Sequence, residues 1–200
     1  TSLDLENMDS VTSLSPLSTL HGLKQLSLRI MSSVSTLSPL SVLSGLQDLT
    51  CTGMVRVTSL SSLSLCTSIT RLECLGMISI TSIATLSELK ALRDLSLCGM
   101  KVTSLTPLSS LQGLTSLDCT GMQSVTSISP LSQLTKLQGL SFYGKQVSCI
   151  APLSQLSSLT RLGLGYVSVT DLDFLSVLSG LRDLRSEERR VGKECTLRCR

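Results

Sequence analysis

The sequence contains no tryptophan, and only two tyrosines and two phenylalanines among its 200 residues. A globular core of this size usually fills irregular space with several large rings. Here the apolar volume must come from aliphatic side chains, which suits thin, similar layers. Only one histidine is present, His21 in "LHGL". No serine or cysteine stands in a fixed place beside it, so no nucleophile–base pair can be assembled. No CxxC pair or histidine cluster offers zinc ligands, and neither metal nor cofactor is expected. No run of 18 or more apolar residues exists, so no segment is long enough to span a membrane. The body of the chain also lacks net charge. Residues 185–200 hold six of the 17 basic and three of the 14 acidic residues, which leaves eleven of each sign elsewhere. Such a body has no electrostatic footprint for nucleic acid.

What the chain has instead is a period. Its six methionines, Met8, Met31, Met54, Met77, Met100 and Met122, are separated by 23, 23, 23, 23 and 22 residues. The pattern Leu-x-Leu keeps the same phase at Leu3, Leu26, Leu49, Leu72, Leu95, Leu117, Leu140, Leu162 and Leu184. One full copy reads "LRDLSLCGMKVTSLTPLSSLQG", Leu92 to Gly113. Within it "LRDLSL" alternates, so Leu95 and Leu97 face one side while Asp94, Ser96 and Cys98 face the other. That is a short, half-buried strand. Val102, Leu105, Leu108, Leu111 and Leu114 follow mostly three apart, the spacing of tight helical or 3₁₀ turns with one buried edge. All five prolines, Pro16, Pro39, Pro107, Pro130 and Pro152, occupy one slot. Ser15, Ser38, Thr106 and Ser129 precede four of them and Ala151 the fifth. Ser or Thr before Pro predicts an N-cap followed by the first helical position. Such a unit cannot bury its own apolar edge, but stacked copies can. The expected fold is an α/β solenoid with a parallel sheet on one face. Nine strands at roughly 4.8 Å spacing make a sheet about 40 Å wide.

The string "LxxLxLxxMxVxxLxPLxxL" resembles the leucine-rich repeat, usually written LxxLxLxxN. The 22-to-23-residue period with Pro-Leu after the loop is similar to the short repeats of the internalin class. Ser127 to Leu159, "SISPLSQLTKLQGLSFYGKQVSCIAPLSQLSSL", carries the resemblance best. It covers residues 1–184. It implies an arc with the parallel sheet on its concave face, short helical or 3₁₀ turns on the convex side, and a protein partner bound by the strands. It implies no enzyme.

Met stands where the family usually has Asn, whose side chain bonds the turn backbone. Met offers only a weak acceptor, so the hydroxyls of Thr103, Ser104, Thr126 and Ser127 are expected to serve the turn instead. The slot holds Met six times, then Lys145 and Val167. Met is expected to fill space between layers, being soft and adaptable, with the preceding Gly allowing a positive-φ turn. A Cu(I) ladder of Met with Cys51, Cys74 and Cys119 is the competing reading. Cys66, in a Leu slot, and the three strand cysteines are expected to be buried small hydrophobes, with Cys51 and Cys74 as neighbours on adjacent strands. Buried free thiols favour a reducing compartment, whereas the internalin resemblance favours a cell surface, so localisation stays open.

The outward strand positions are the candidate binding residues. Arg29, Arg71, Arg93, Tyr143 and Arg161 carry the side-chain types that anchor interfaces, with Glu73 and Asp94 beside them. The expected function is non-enzymatic recognition of a protein through the concave face. The alternatives are a spacer or scaffold segment of a larger surface or signalling protein, or the recognition arm of an enzyme whose catalytic domain lies elsewhere. Clustered Arg and Tyr would favour binding, and evenly alternating charge a spacer.

Residues 185–200, "RSEERRVGKECTLRCR", have no period. Their start resembles the translation of a short-read sequencing adapter, so a non-repeat, artefactual tail without the repeat's strand is expected. The repeats begin and stop inside strands, which predicts truncation at both ends. Leu162, Leu164 and Leu184 are therefore expected to be more exposed than Leu95, Leu97 and Leu117.

Overall fold

In the computed structural model, described for residues 1–168 and 172–186, each repeat forms one layer of a solenoid arc. Nine strands are β1 Ser2–Glu6, β2 Gln25–Arg29, β3 Asp48–Thr52, β4 Arg71–Leu75, β5 Asp94–Ser96, β6 Ser116–Cys119, β7 Gly139–Tyr143, β8 Arg161–Gly165 and β9 Asp183–Ser186. They make one sheet in sequence order, and all eight neighbouring pairs are parallel. The register follows the sequence period. Leu3 faces Leu26, Leu26 faces Leu49, and so on to Leu162 facing Leu184. Strand alternation therefore sends every Leu-x-Leu pair to the same side.

The return path is built from 3₁₀ turns at Ser15–Thr19, Ser38–Val42, Ser61–Leu65, Ala84–Glu88, Thr106–Ser110, Ser129–Gln133, Ala151–Gln155 and Asp173–Val177. The leucines three apart are the turns' own scaffold. The N–H of Leu108 donates to Leu105 O, that of Leu111 to Leu108 O and that of Leu114 to Leu111 O, each at 2.9 Å. Residues i and i+3 eclipse in this geometry, so the three-residue spacing gives one continuous apolar edge.

The hydroxyl before each proline is not the N-cap that the Ser-Pro pattern predicts. The preceding residue, such as Leu14 or Ile128, holds the cap position without a side-chain bond. The hydroxyls of Ser13, Thr36, Ser59, Ser82, Ser104 and Ser127 instead accept the N–H two residues on, at 3.0–3.4 Å. This is a local hydroxyl turn. It also takes Ser104 and Ser127 away from the methionine turns they were expected to serve.

Those methionine turns are bonded by backbone. Gly53 N–H donates to Leu75 O (2.9 Å) and Gly76 N–H to Cys98 O (3.1 Å), while Met54 O and Met77 O accept from Val57 and Ile80. Gly53, Gly76, Gly99 and Gly121 have φ between +66° and +78°, the left-handed region that glycine enters without a Cβ clash. Met31, Met54, Met77, Met100 and Met122 are buried in the core, and Met8 in the first layer is exposed.

The slot occupied by Lys145 shows how methionine's volume is replaced. Lys145 is exposed. In its repeat the strand carries Phe142, fully buried, where β1–β6 and β8 carry Leu or Cys. A Cβ on Gly144 would sit 2.7 Å from Phe142 Cζ, so the ring reaches into the turn. Cys51, Cys74 and Cys119, the smallest side chains in that slot of β1–β8, are each followed by a buried Met. Large ring without Met, and small thiol with Met, fill the layer alike.

At the last layer the expectations divide. Leu184 is 48% exposed against 1% for Leu117, and Leu164 6% against 0% for Leu97. Leu162 is buried at 1%, slightly deeper than Leu95 at 3%, because β9 pairs with β8 and covers it. The expectation that residues from 185 lack the repeat's strand fails for the first two of them. Arg185 and Ser186 continue β9, opposite Gly163 and Leu164. The remaining tail, from residue 187, lies outside the described residues.

Candidate binding face

Among the described residues no polar or charged residue is buried. All charge is therefore on the surface, and the strands sort it. Leu and Cys side chains turn into the core, and residues at the alternate positions turn to the open face of the sheet. Parallel sheets are normally covered on both faces. Among the described residues only one face is covered here, by the 3₁₀ side, and no element lies over the outward positions of the nine strands.

The register gives this face a fixed geometry. Gln25 Nε2 donates to Asp48 Oδ2 at 2.9 Å. Arg71 meets Asp94, its partner in register, at 3.6 Å. Arg185 meets Asp183 at 3.0 Å on the last strand. These pairs are well exposed and contribute about 0–1 kcal/mol each, so they orient side chains more than they stabilise the fold.

The candidate residues form two groups, one isolated residue and one outlier. Arg71, Glu73 and Asp94 lie together on β4 and β5. Tyr143 and Arg161 lie together on β7 and β8. The Arg161 guanidinium rests over Gly139, with Nη2 3.3 Å from where a Cβ would be, and the Tyr143 hydroxyl lies 3.5 Å from the same point on Gly163. Arg29 ends β2 alone, opposite Glu6 in register. Arg93 is the outlier. It precedes β5, and its guanidinium turns back to donate to Ala91 O and Leu92 O at 3.1 and 2.9 Å, packed over Gly113. That location is the return edge, off the strand face.

Two features of the face were missed by single-residue reasoning. Gly139, Gly163 and Gly165 all fall on outward positions of β7 and β8, where they are buried, Gly139 under Arg161 and Gly163 under Ser141 and Tyr143. Asp4 and Glu6 join Asp48, Glu73, Asp94 and Asp118 to make the first six strands predominantly acidic on this face. Both become visible once the 22-to-23-residue register is applied to the outward slots as well as to the leucines.

The four buried free cysteines, Cys51, Cys66, Cys74 and Cys119, do not form a reactive site. Cys51 and Cys74 face each other in register and are free, as are Cys66 and Cys119. Burial pushes the Cys51 thiol up to about 12. Burial raises Cys74 well above its ordinary value, with the neighbouring Cys51 and Glu73 adding to it, and raises Cys119 likewise, helped by Asp118. These sulfurs stay protonated at neutral pH, so they are poor nucleophiles and poor metal ligands. The Cys66 thiol donates to Leu40 O at 3.2 Å. His21 is exposed on the return loop. Among the described residues no group of three or more His, Cys, Asp or Glu side chains is placed to hold a metal. Among the same residues no helix is long and apolar enough to cross a membrane.

No family model matches the sequence, and no curated protein matches it. Solved structures do. The chain is similar to internalin C2 of Listeria monocytogenes, with a TM-score of 0.83 and 27% identity over 93% of this chain and 80% of that one. This is an internalin-like leucine-rich repeat protein. It is also similar to an internalin, inlF, of the same organism, with a TM-score of 0.66 and 25% identity over 94% of this chain and 67% of that one. A leucine-rich repeat protein of Leptospira interrogans shares the fold, with a TM-score of 0.72 and 20% identity, and 99% of this internalin-like chain covers 57% of it. The likeness to internalins supports a protein-interaction repeat module in general terms.

Proposed function

We propose that this internalin-like arc, taken as one unit over residues 1–184, is a non-enzymatic module that binds a protein partner on its concave strand face. The observation that supports this most is the uncovered face of a parallel sheet, nine strands wide, carrying Arg, Tyr and acidic side chains in fixed register. Such a face offers a large, pre-organised surface whose strands need no rearrangement on binding, which lowers the cost of association. A photo-crosslinking side chain placed at Thr50 or Ser96 on this face should yield adducts in an extract of the protein's own cells. The same group at the exposed Val42 or Gln133 of the convex turns should not. Equal yields from both sides, or adducts from the convex turns alone, would contradict the proposal.

The spacer reading keeps one observation in its favour. Gln25–Asp48, Arg71–Asp94 and Asp183–Arg185 satisfy one another within the face. A spacer would give no specific adduct from any position.

A further inference from the structure

The concave face is electrically divided. On β1–β6 its outward charges are Asp4, Glu6, Asp48, Glu73, Asp94 and Asp118, against Arg29 and Arg71 alone. On β7–β9 they are Arg161 and Arg185 against Asp183. Arg161 is the cation left unmatched at that end. Asp183 stands opposite it in register, yet Asp183 is held at 3.0 Å by Arg185, and among the described residues Arg161 has no ion-pair partner. Its guanidinium lies exposed over Gly139, beside Tyr143, which lies across Gly163. Both tyrosines of the chain are at this end. Tyr166, just past β8, has Lys145 Nζ 5.4 Å from its ring centroid.

Resting on the concave-face reading, we infer that the β7–β8 end receives an acidic segment of the partner, anchored by Arg161 and Tyr143. Charge complementarity argues for this occupant. A carboxylate there gains a planar five-donor guanidinium with which, among the described residues, no acid is paired. Gly139 and Gly163 carry no side chain, so the segment can come close to the sheet once Arg161 and Tyr143, which cover them, lift to meet it. The acidic strands β1–β6 repel the same segment, so they fix where along the arc it docks.

Labelled Glu-Ser, Gln-Ser and Lys-Ser repeat peptides, titrated into the full chain at low and high salt, test this. The Glu-Ser peptide should bind more tightly than its neutral Gln-Ser counterpart, with affinity falling as salt rises. Arg161→Ala should weaken it about tenfold, the scale of one charge-assisted contact. Arg161→Lys should recover part of the loss, and Asp118→Asn should strengthen binding. Matching thermal melts of the variants separate these effects from misfolding. Glu-Ser binding no better than Gln-Ser, or insensitive to Arg161→Ala, overturns the inference. If the Lys-Ser peptide then binds and loses affinity on Glu73→Gln, concave-face binding stands and only the charge of the partner is reversed. Adducts from the convex turns in the crosslinking experiment would remove the concave-face reading itself.

Discussion

Phe142 and Lys145 show how one residue's role depends on another three positions away. Lys145 breaks the methionine period in the sequence, and read alone it suggests a layer with a hole. The structure fills that hole with the Phe142 ring, which leaves no room for a methyl group on Gly144. Gly144→Ala should therefore destabilise by about 1–3 kcal/mol through overpacking, measured by denaturant unfolding. An unchanged midpoint would show that the ring has space to move. Burial of Met54, Met77 and Cys51 was legible because these residues repeat in phase. The Phe-for-Met exchange was not, because it occurs once and needs the ring's direction. The buried thiols set a pH dependence. Cys51 has an ordinary value of 9.0, kept by the unfolded chain, and about 12 when folded. Between these values the unfolded state loses a proton that the folded state retains. Stability is then full below pH 9 and falls as pH rises towards 12, by about 1.4 kcal/mol per pH unit for one such thiol. Cys51→Val should flatten that decline in unfolding curves taken across the range. An identical slope in the variant would mean that the thiol is not shielded.

At the scale of the element, each strand was legible from Leu-x-Leu and each return turn from leucines three apart. Both patterns follow from where side chains point, which period alone decides. The start of the 3₁₀ turn was misread because Ser-Pro looks the same in an α-helical N-cap and in a hydroxyl turn. What separates them is the hydroxyl two residues earlier, as in Ser127, which accepts Ser129 N–H at 3.2 Å while Ser132 Oγ donates to Ser129 O at 2.8 Å. Ser127→Ala should cost about 0.5–1.5 kcal/mol, the usual net contribution of one such bond. Thr126 is the exposed neighbour, and Thr126→Ala serves as the control with little effect. A larger loss at Thr126 than at Ser127 in the same unfolding assay would restore the turn role first expected of Thr126.

For the whole molecule, the repeat settles the architecture because each layer touches only its neighbours. Sheet order, direction and register all follow from one number, the 22-to-23-residue step, as the pairing of Leu3 with Leu26 and of Leu140 with Leu162 shows. The candidate face was legible only in part. Its location follows from alternation, but Arg93 turns away through bonds to its own loop, and the acidic majority arises from positions far apart in sequence. The division of charge along the face belongs to the assembled stack, which no single repeat contains. The most direct test of this layered construction is to delete one whole layer, residues 48–70, joining Gln47 to Arg71. Since Asp48 and Arg71 are partners in register, the shortened chain should fold and unfold cooperatively, with a denaturant slope reduced in keeping with one lost layer. Loss of cooperative unfolding, or aggregation of the shortened chain alone, would contradict the claim that each repeat is an interchangeable layer.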